Sequence, residues 1–354
     1  MRKRSRRAFL AAAGSVGLGA TAGCLGVLET ERATREPPLP QNRPDAAYVP
    51  SHVEGMEMAG MQTQGRYACA LTYTFPHRFW LVRGADTDRV NVRGEDDVHL
   101  MVAVWDAETG TVLPNASVEV AYTGQNDETS SVTPWQMLSQ QMGVHHGDNV
   151  ALGGEGNYDV TVRVVPPTTR RASAETVSME PAEFDFSFTF DRSSLDDLPF
   201  EDIPADREGS EGAVDAMDME SARLSQAPPT GDFPMSVRGS AETGGASLVV
   251  GTAREYGDLA GDGETYVAAS LRTPHNRFVL PSASLSATVD SGDARAFDGD
   301  LVPTLDADLG YHYGAVVSAS DAIENVTVSV DTPPQVSRHE GYETPFFDFS
   351  DVSV

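Results

Sequence analysis

The stretch VTVRVVPPTTRR (160–171) returns in the second half of the chain as VTVSVDTPPQVSRH (326–339). Both copies begin with alternating apolar and polar residues, the period of a β-strand with one buried face. Both then reach a Pro-Pro pair, which lacks the N–H groups that a strand ladder needs. Since further matching segments surround each copy, the sequence predicts a tandem duplication of one β-rich unit.

Three other landmarks recur in the same order along the two halves. FPHRFW (75–80) corresponds to TPHNRFVL (273–280), GVHHG (143–147) to GYHYG (310–314), and PAEFDFSFTFD (181–191) to TPFFDFSDVSV (344–354). The segments between them alternate or are β-branched, are bounded by Gly, Pro, Asn or Asp, and show no sustained helical period. We therefore predict an all-β protein with two immunoglobulin- or cupredoxin-like antiparallel β-sandwich domains in tandem.

Changes in composition along the chain predict the domain limits. Residues 47–192 form the first predicted sandwich and residues 235–354 the second, which fits the usual size of such domains. The acidic, aromatic-poor stretch 193–234 is predicted to be a flexible linker, with a short helix at GAVDAMDMESARL (212–224). Residues 24–46 are Pro-rich and charged, which is typical of a tether.

The first 23 residues have the features of an export signal. Basic residues come first, an Ala- and Gly-rich apolar stretch follows, and small residues precede Cys24. SRRAFL (5–10) matches the twin-arginine pattern, and TAGC (21–24) resembles a lipobox, in which the cysteine receives a lipid. We therefore expect export by the twin-arginine route and a lipid on Cys24 that anchors the protein at the outer face of the cell membrane.

The charge balance is strongly acidic, with 53 acidic and 25 basic residues. Nucleic acid is excluded as a partner, because this field repels phosphate. Lys3 is the only lysine, so the exported part uses arginine alone for positive charge. Molar salt shortens the Debye length to about 3 Å and screens the self-repulsion of an acidic surface. The composition therefore predicts a protein of an extremely halophilic archaeon.

Four of the eight histidines lie at paired landmarks, namely His77 with His275 and His145 with His312. Met137 precedes His145 by eight residues, while Thr304 precedes His312 by the same interval. A thioether beside an imidazole suits copper, whereas imidazoles alone suit zinc, iron or copper. The landmarks thus predict a transition-metal site, with turn-forming histidines as the alternative.

The first half resembles the periplasmic ferrous-iron transport accessory family. The resemblance covers residues 52–191 and rests on VAVWDAETGTVLPNASVEV (102–120), PWQML (134–138) and MGVHHGDNVALGGEGNYDVTVRVVPP (142–167). It implies a cupredoxin- or immunoglobulin-like sandwich that binds copper and iron in iron uptake. The residues that match the family motif are Met137 for the methionine, His145 for the histidine, His146 for a tyrosine and Asn149 for the asparagine.

Two departures from the family pattern concern its histidines. The family has a His-x-Glu on its first strand, and the nearest histidine here is His77, without a glutamate two residues on. The family also has a histidine after the Pro-Pro strand, which only the second copy keeps, as His339. Copy one thus has Met137 but no histidine after its Pro-Pro pair. Copy two has His339 after its Pro-Pro pair but has Thr304 where copy one has the methionine. We predict that the copies complete one another, as a dimer or an internal pseudo-dimer; the alternative is a degenerate second copy that serves as a spacer.

The candidate ligands for an iron or copper ion are seven. His99 lies within a predicted strand, where a buried structural histidine is an equal alternative. His52 and the methionines of EGMEMAGM (54–61) are an alternative soft copper(I) site, with packing methionines as the commoner interpretation. The candidates are His77, His99, Met137, His145, His275, His312 and His339.

The chain lacks the sequence patterns of the common catalytic sites. It has no Gly-x-Ser-x-Gly, His-Glu-x-x-His, Walker or dinucleotide-binding glycine pattern, so we predict that it is not an enzyme. The favoured function is capture of iron or copper outside the cell membrane and its presentation to a metal permease. A structural or adhesive lipoprotein is the main rival. An electron-transfer copper module is less favoured, because Cys69 has no Cys-x-His-x-Met neighbourhood.

The first prediction concerns the membrane anchor. Wild-type protein should partition with membranes, whereas Cys24→Ser should release the protein or block its processing, because the lipid acceptor is lost. Fractionation of cells and gel mobility of both forms measure this. Identical mobility and distribution would rule out the lipid.

Overall fold

The computed structural model describes residues 36–172, 179–218, 222–292, 294–318 and 322–354. The export signal, the twin-arginine and lipobox patterns and Cys24 lie outside this part, so the anchor stays a prediction. Among the described residues, no helix has the length and apolarity needed to cross a bilayer.

The first half is built from strands. They are β1 His52–Glu54, β2 Glu57–Gln64, β3 Tyr67–Thr74, β4 Phe79–Arg83, β5 Asp86–Val90, β6 Val98–Asp106, β7 Ser117–Thr123, β8 Thr129–Val132, β9 Trp135–Ser139, β10 Gly143–Val150, β11 Gly156–Val165, β12 Arg170–Arg171 and β13 Ala182–Phe190. A short helix, α1 (Arg192–Asp196), follows, then β14 (Phe200–Asp202) and a 3-10 turn at Thr230–Asp232.

The second half repeats the pattern. Its strands are β15 Ser236–Thr243, β16 Ala246–Arg254, β17 Glu264–Arg272, β18 Ser284–Ser291, β19 Ala294–Asp306, β20 Gly310–Ser318, β21 Ile323–Thr332, β22 Ser337–Arg338 and β23 Val352–Ser353. The all-β prediction is confirmed. The predicted alternation is also seen, for example in β7, where Val118, Val120 and Tyr122 are buried between more exposed residues.

Each half is a sandwich of two sheets. In the first half, an eight-stranded sheet has the order β2-β3-β6-β10-β9-β22-β4-β5, and a four-stranded sheet has the order β13-β11-β7-β8. In the second half, the long strand β19 belongs to both sheets: residues 294–301 pair with β18 and residues 302–306 with β20. In the first half the same span is divided between β8 and β9, which Thr133 and Pro134 separate.

Each half adds the residues after its Pro-Pro pair to the sheet of the other half. Strand β22 lies between β9 and β4, with Ser337 opposite Met137 in a parallel pairing. Strand β12 pairs in parallel with β19, with Arg170 opposite Thr304. We call this feature the reciprocal exchange. It continues by one residue, because His339 N donates to Leu138 O at 3.0 Å, and Ala172 N donates to Leu305 O at 2.9 Å.

The reciprocal exchange fixes which residues of the halves are equivalent. His99 on β6 is opposite Asn149, four residues after His145, and Tyr266 on β17 is opposite Val316, four residues after His312. The equivalent pairs are therefore Met137 and Thr304, His145 and His312, His99 and Tyr266, and His339 and Ala172.

A buried arginine supports the exchanged segment of the second half. Arg338 is fully buried; its Nε donates to Val336 O and its Nη2 to Pro334 O, each at 2.8 Å. Its guanidinium lies 5.1 Å from the ring centre of Phe346. Burial lowers the pKa of Arg338 to about 9. The side chain thus closes the turn that leads from the Pro-Pro pair to His339.

The segment 193–234 runs along both halves and packs against them. Strand β14 pairs with β1, and Ala227 and Phe233 are buried. The helix expected at 212–224 is not formed by residues 212–218 and 222–224, the part described. Its backbone donors bind elsewhere: Val214 N donates to the Gln140 side chain at 2.8 Å, and Met217 N to Gln141 O at 2.9 Å. Tertiary hydrogen bonds therefore replace helical ones.

The second prediction tests the reciprocal exchange. Residues 47–192 expressed alone should dimerise or aggregate, because removal of β22 leaves β9 and β4 as unpaired strands inside a sheet. Size-exclusion chromatography with light scattering in molar salt measures this, with the mature full chain as the control. A well-folded monomer of 47–192 would contradict the prediction.

Candidate metal centre

Four histidines and one methionine meet at the interface of the two halves. The ring centres of His77 and His99 are 4.1 Å apart, and those of His77 and His339 are 4.7 Å apart. His145 lies 5.1 Å from His339, ring centre to ring centre, and Sδ of Met137 is 3.3 Å from Nε2 of His339. One nitrogen from each of His77, His99 and His339 falls within 4.8 Å of the others.

Neighbouring strands bring these side chains together. Met137 on β9 and His145 on β10 are directly opposite in the register, and His99 lies on β6, the next strand. His77 precedes β4, and His339 follows β22. Since successive residues of a strand face opposite sides, His146 points away from the cluster, and its ring bonds to the backbone of Ala116.

Two histidines are held so that a free nitrogen faces the cluster. Nδ1 of His99 donates to Oδ1 of Asn149 at 2.8 Å, and Nδ1 of His145 donates to Gly143 O at 3.1 Å. The amide of Asn149 is itself oriented, because its Nδ2 donates to His77 O at 2.9 Å. Nε2 of His99 and of His145 is buried without a hydrogen-bond partner. Both lone pairs are thus available to a metal ion.

Burial keeps most of the imidazoles neutral. It lowers the pKa of His145 to about 3, and it lowers the pKa of His99 and His339 well below the usual value. Repulsion among the histidines acts in the same direction, since protonated His77 would disfavour charge on both His99 and His339. At neutral pH these three side chains are therefore in the form that binds metals.

His77 differs from the others because a carboxylate faces it. Burial alone lowers its pKa, but the charges of Glu54 and Glu36 outweigh burial and raise it. Nδ1 of His77 lies 2.7 Å from Oε1 of Glu54, and this contact also raises the pKa of His77. Oε2 of Glu54 is buried without a hydrogen-bond partner. Glu54 therefore supplies negative charge next to the cluster.

Gly147 leaves the space that the cluster occupies. A methyl group at this position would lie 2.6 Å from Nε2 of His99 and 3.2 Å from Sδ of Met137. Any larger residue would displace these two side chains or fill the space between them.

A cavity of about 60 Å³ borders the cluster, and we call it the mouth. His77 and His339 are among the residues that line it, and its other polar residues include Glu36, Glu54, His52, Arg78 and Glu340. Nη2 of Arg78 pairs with Glu340 at 2.5 Å. Three carboxylates with one arginine give the mouth a local excess of negative charge, which attracts cations.

The equivalent location in the second half has a different chemistry. Nδ1 of His312 donates to Gly310 O at 3.0 Å, as in His145, but its Nε2 accepts from the hydroxyl of Tyr266 at 2.9 Å. Nη2 of Arg170 donates to that hydroxyl at 3.1 Å, to Gly314 O at 2.9 Å and to Oγ1 of Thr304 at 2.8 Å. A guanidinium therefore lies among the residues equivalent to His99, Met137 and His145.

The structure thus separates the candidates predicted from the sequence. It brings together His77, His99, Met137, His145 and His339. It leaves His312 in the arginine-filled location and His275 exposed. His77 and His275 correspond in the sequence, but the structure places them in different environments.

Sequence reasoning missed Glu54 and Gly147. A His-x-Glu is present as His52-Val53-Glu54, which forms β1, whereas this pattern was expected at His77. Only its glutamate reaches the cluster, because the ring of His52 stacks on Phe200 with ring centres 4.8 Å apart. The signal for Gly147 is its position in GVHHG (143–147), because a glycine within a strand, next to two histidines, indicates that another group approaches the backbone closely.

Comparison with known families agrees with the geometry of the first half. Residues 57–191 match the sequence model of the Fe2+ transport protein family. The first half resembles that family. This confirms the resemblance stated from the sequence; we refer to 57–191 as the Fe2+ transport protein region. Residues 231–354 match a domain of unknown function (DUF7350). No curated protein matches the chain.

Solved structures with similarity to the chain include two of FetP from uropathogenic Escherichia coli. A copper-bound variant has 21% identity and a TM-score of 0.31, covering 38% of this chain and 97% of that one. The as-isolated protein has 20% identity and a TM-score of 0.30, covering 39% and 95%. A copper-bound variant of Campylobacter jejuni P19 has 18% identity and a TM-score of 0.31, covering 39% and 96%.

The third prediction concerns the arginine in the second half. Arg170→Met should destabilise the metal-free chain by about 2–4 kcal/mol, because Tyr266 and Thr304 lose a charged donor inside the interface. Arg163→Met is the matched control, because the Arg163 side chain is 47% exposed and its ion pair is long, with Nε 4.0 Å from Oε1 of Glu183. This substitution should change the free energy of unfolding by less than about 0.5 kcal/mol. Urea denaturation at fixed molar salt gives both values. Equal losses would contradict the assigned role.

Proposed function

We propose that this protein captures a transition-metal ion, iron or copper, outside the cell membrane and presents it to a metal permease. The ion is cargo held by His99, Met137, His145 and His339, with His77 beside them. The observation that carries the proposal is the pair of buried, neutral imidazole nitrogens of His99 and His145, which face a thioether and a third neutral imidazole and have no partner.

The ligand types favour soft or borderline metals. Imidazole nitrogens suit copper, iron and zinc, whereas the thioether of Met137 favours copper(I) over zinc. The Fe2+ transport protein region supports iron as the alternative cargo. We therefore propose a site for copper or iron, and both metals belong in its test.

The geometry argues against a purely adhesive protein. A buried polar atom without a partner costs about 1–3 kcal/mol, and an adhesive domain gains nothing in return. In the second half the equivalent nitrogen of His312 accepts a hydrogen bond from Tyr266. The same scaffold can thus satisfy this histidine by hydrogen bonding, yet the first half leaves His145 unsatisfied.

Location and partners form the finer part of the proposal. The lipid on Cys24, export by the twin-arginine route and delivery to a permease follow from the N-terminal sequence and from the family resemblance. No catalytic step is part of the proposal, since capture and release of an ion account for the cluster and the mouth.

The fourth prediction tests the shared site. His339→Ala and His145→Ala should each weaken copper or iron binding at least about tenfold, because loss of even an outer-shell partner costs 10–100-fold. His275→Ala, an exposed histidine at a matching landmark, is the control and should leave binding unchanged. Metal titration of the mature chain in molar salt measures the affinities.

Thermal unfolding provides a second measurement. A metal at 100 times its dissociation constant should stabilise the wild-type chain by about 2.7 kcal/mol and so raise Tm. Equal melting curves with copper, iron and chelator would contradict metal capture and favour the adhesive alternative. If His145→Ala alone weakened binding, the second half would be only a spacer.

A further inference from the structure

The five side chains of the cluster come from two kinds of element. His99, Met137 and His145 lie on β6, β9 and β10, which are neighbours in one sheet. His77 precedes β4, and His339 follows β22. We call the first three the strand ligands and the other two the loop ligands. The register of the sheet fixes the strand ligands, whereas the loop ligands lie where the ladder ends and depend on further contacts.

A buried ion pair joins the residues that directly follow the two loop ligands. Arg78 follows His77, Glu340 follows His339, and Nη2 of Arg78 lies 2.5 Å from Oε2 of Glu340. Both charged side chains are only 8% exposed. The rings of His77 and His339 also meet, with centres 4.7 Å apart. Residues 77–78 of the first half therefore face residues 339–340 of the second half.

Further contacts hold each member of this ion pair. Oε1 of Glu340 accepts from Ser51 N at 2.7 Å, and Oε2 accepts from Oγ of Ser51 at 3.1 Å. Nη1 of Arg78 donates to Pro37 O at 2.7 Å, and the backbone N–H of Arg78 donates to the carboxylate of Glu36. Charge-assisted hydrogen bonds are about twice as strong as neutral ones. The pair thus fixes the separation of the two segments that carry the loop ligands.

The two groups of ligands suit different metal ions. The strand ligands offer one thioether and two imidazoles. Copper(I) is a soft ion that low coordination numbers satisfy, and it accepts such a set. Copper(II) prefers a tetragonal arrangement with several nitrogen ligands, and iron(II) also takes imidazoles in higher coordination numbers. The positions of the loop ligands therefore matter more for copper(II) and iron(II) than for copper(I).

We propose that the Arg78–Glu340 pair positions the loop ligands and thereby raises the affinity of the cluster for copper(II) and iron(II) relative to copper(I). The inference rests on the proposed function, because it concerns the same site. Both members of the pair are positioning residues, since they act through His77 and His339 and not as ligands.

Glu340→Gln tests the inference in the mature full-length chain. The amide has nearly the same shape and still accepts from Ser51, but the charge that pairs with Arg78 is lost. Glu343→Gln is the matched control. Glu343 is buried in the same loop and accepts from the hydroxyl of Tyr48 at 2.5 Å, and Tyr48 is not next to a ligand. Competition with chelators of known affinity measures the binding of copper(II), copper(I) and iron(II), at one molar salt concentration for all variants.

Glu340→Gln should weaken the binding of copper(II) and iron(II) at least about tenfold, because loss of an outer-shell partner costs 10–100-fold. It should change copper(I) binding by less than about threefold, since the strand ligands remain in place. The reduction potential of bound copper should therefore rise by about 59 mV for each tenfold change in the affinity ratio, which redox titration measures. Glu343→Gln should leave this ratio unchanged, although both variants should lower the midpoint of urea denaturation.

Arg78→Lys provides an independent variant if Glu340→Gln does not fold. It keeps the charge, but a single ammonium group cannot replace the fork that holds Glu340 and Pro37 O together, so the ratio should shift in the same direction. Equal losses for copper(I) and copper(II), an unchanged ratio, or the same shift in Glu343→Gln would overturn the inference while leaving metal capture intact. A wild-type chain that binds neither copper nor iron would instead overturn the proposed function.

Discussion

The structure depends on the reciprocal exchange, in which each half completes the sheet of the other. The Pro-Pro pair ends the preceding strand and redirects the chain, and a two-residue strand then pairs in parallel with its new neighbour. Arg338 holds this turn from inside through two backbone carbonyls. His339 reaches Met137 only because of this pairing, so the cluster exists as a property of the interface and not of either half.

The two equivalent locations show how one backbone arrangement supports opposite outcomes. His145 and His312 each donate from Nδ1 to the carbonyl two residues earlier, so the strand conformation fixes both tautomers. The difference lies in the surrounding side chains. Tyr266 replaces His99 and donates to the imidazole, and Arg170 supplies a permanent cation. The first half has His99 in the place of Tyr266, and Nε2 of His99 and of His145 has no hydrogen-bond partner.

The sequence predicted the fold class well, because alternation and matched landmarks are local features that survive divergence. It also predicted that Met137 and His339 belong to one site, since each copy lacked what the other kept. The roles of His77 and His275 could not be separated, because exposure depends on packing that no local pattern records. Glu54 was missed for another reason: it belongs to the local pattern His52-Val53-Glu54, but the His-x-Glu was sought at His77, which its carboxylate contacts only in the folded protein. The helix expected at 212–224 is not formed in the described residues, because the backbone N–H groups of Val214 and Met217 bind Gln140 and Gln141 instead.

The covalent connection between the halves has a thermodynamic consequence. A site shared by two separate, identical chains is lost when the chains dissociate. Two-fold symmetry also means that such a dimer has two identical sites. Here the partner is present at a fixed effective concentration, so assembly of the cluster is unimolecular and independent of how much protein is made. Because the two halves are fused in one chain, they also need not form two identical sites. One location can keep imidazole nitrogens without hydrogen-bond partners, while the other is filled by the guanidinium of Arg170.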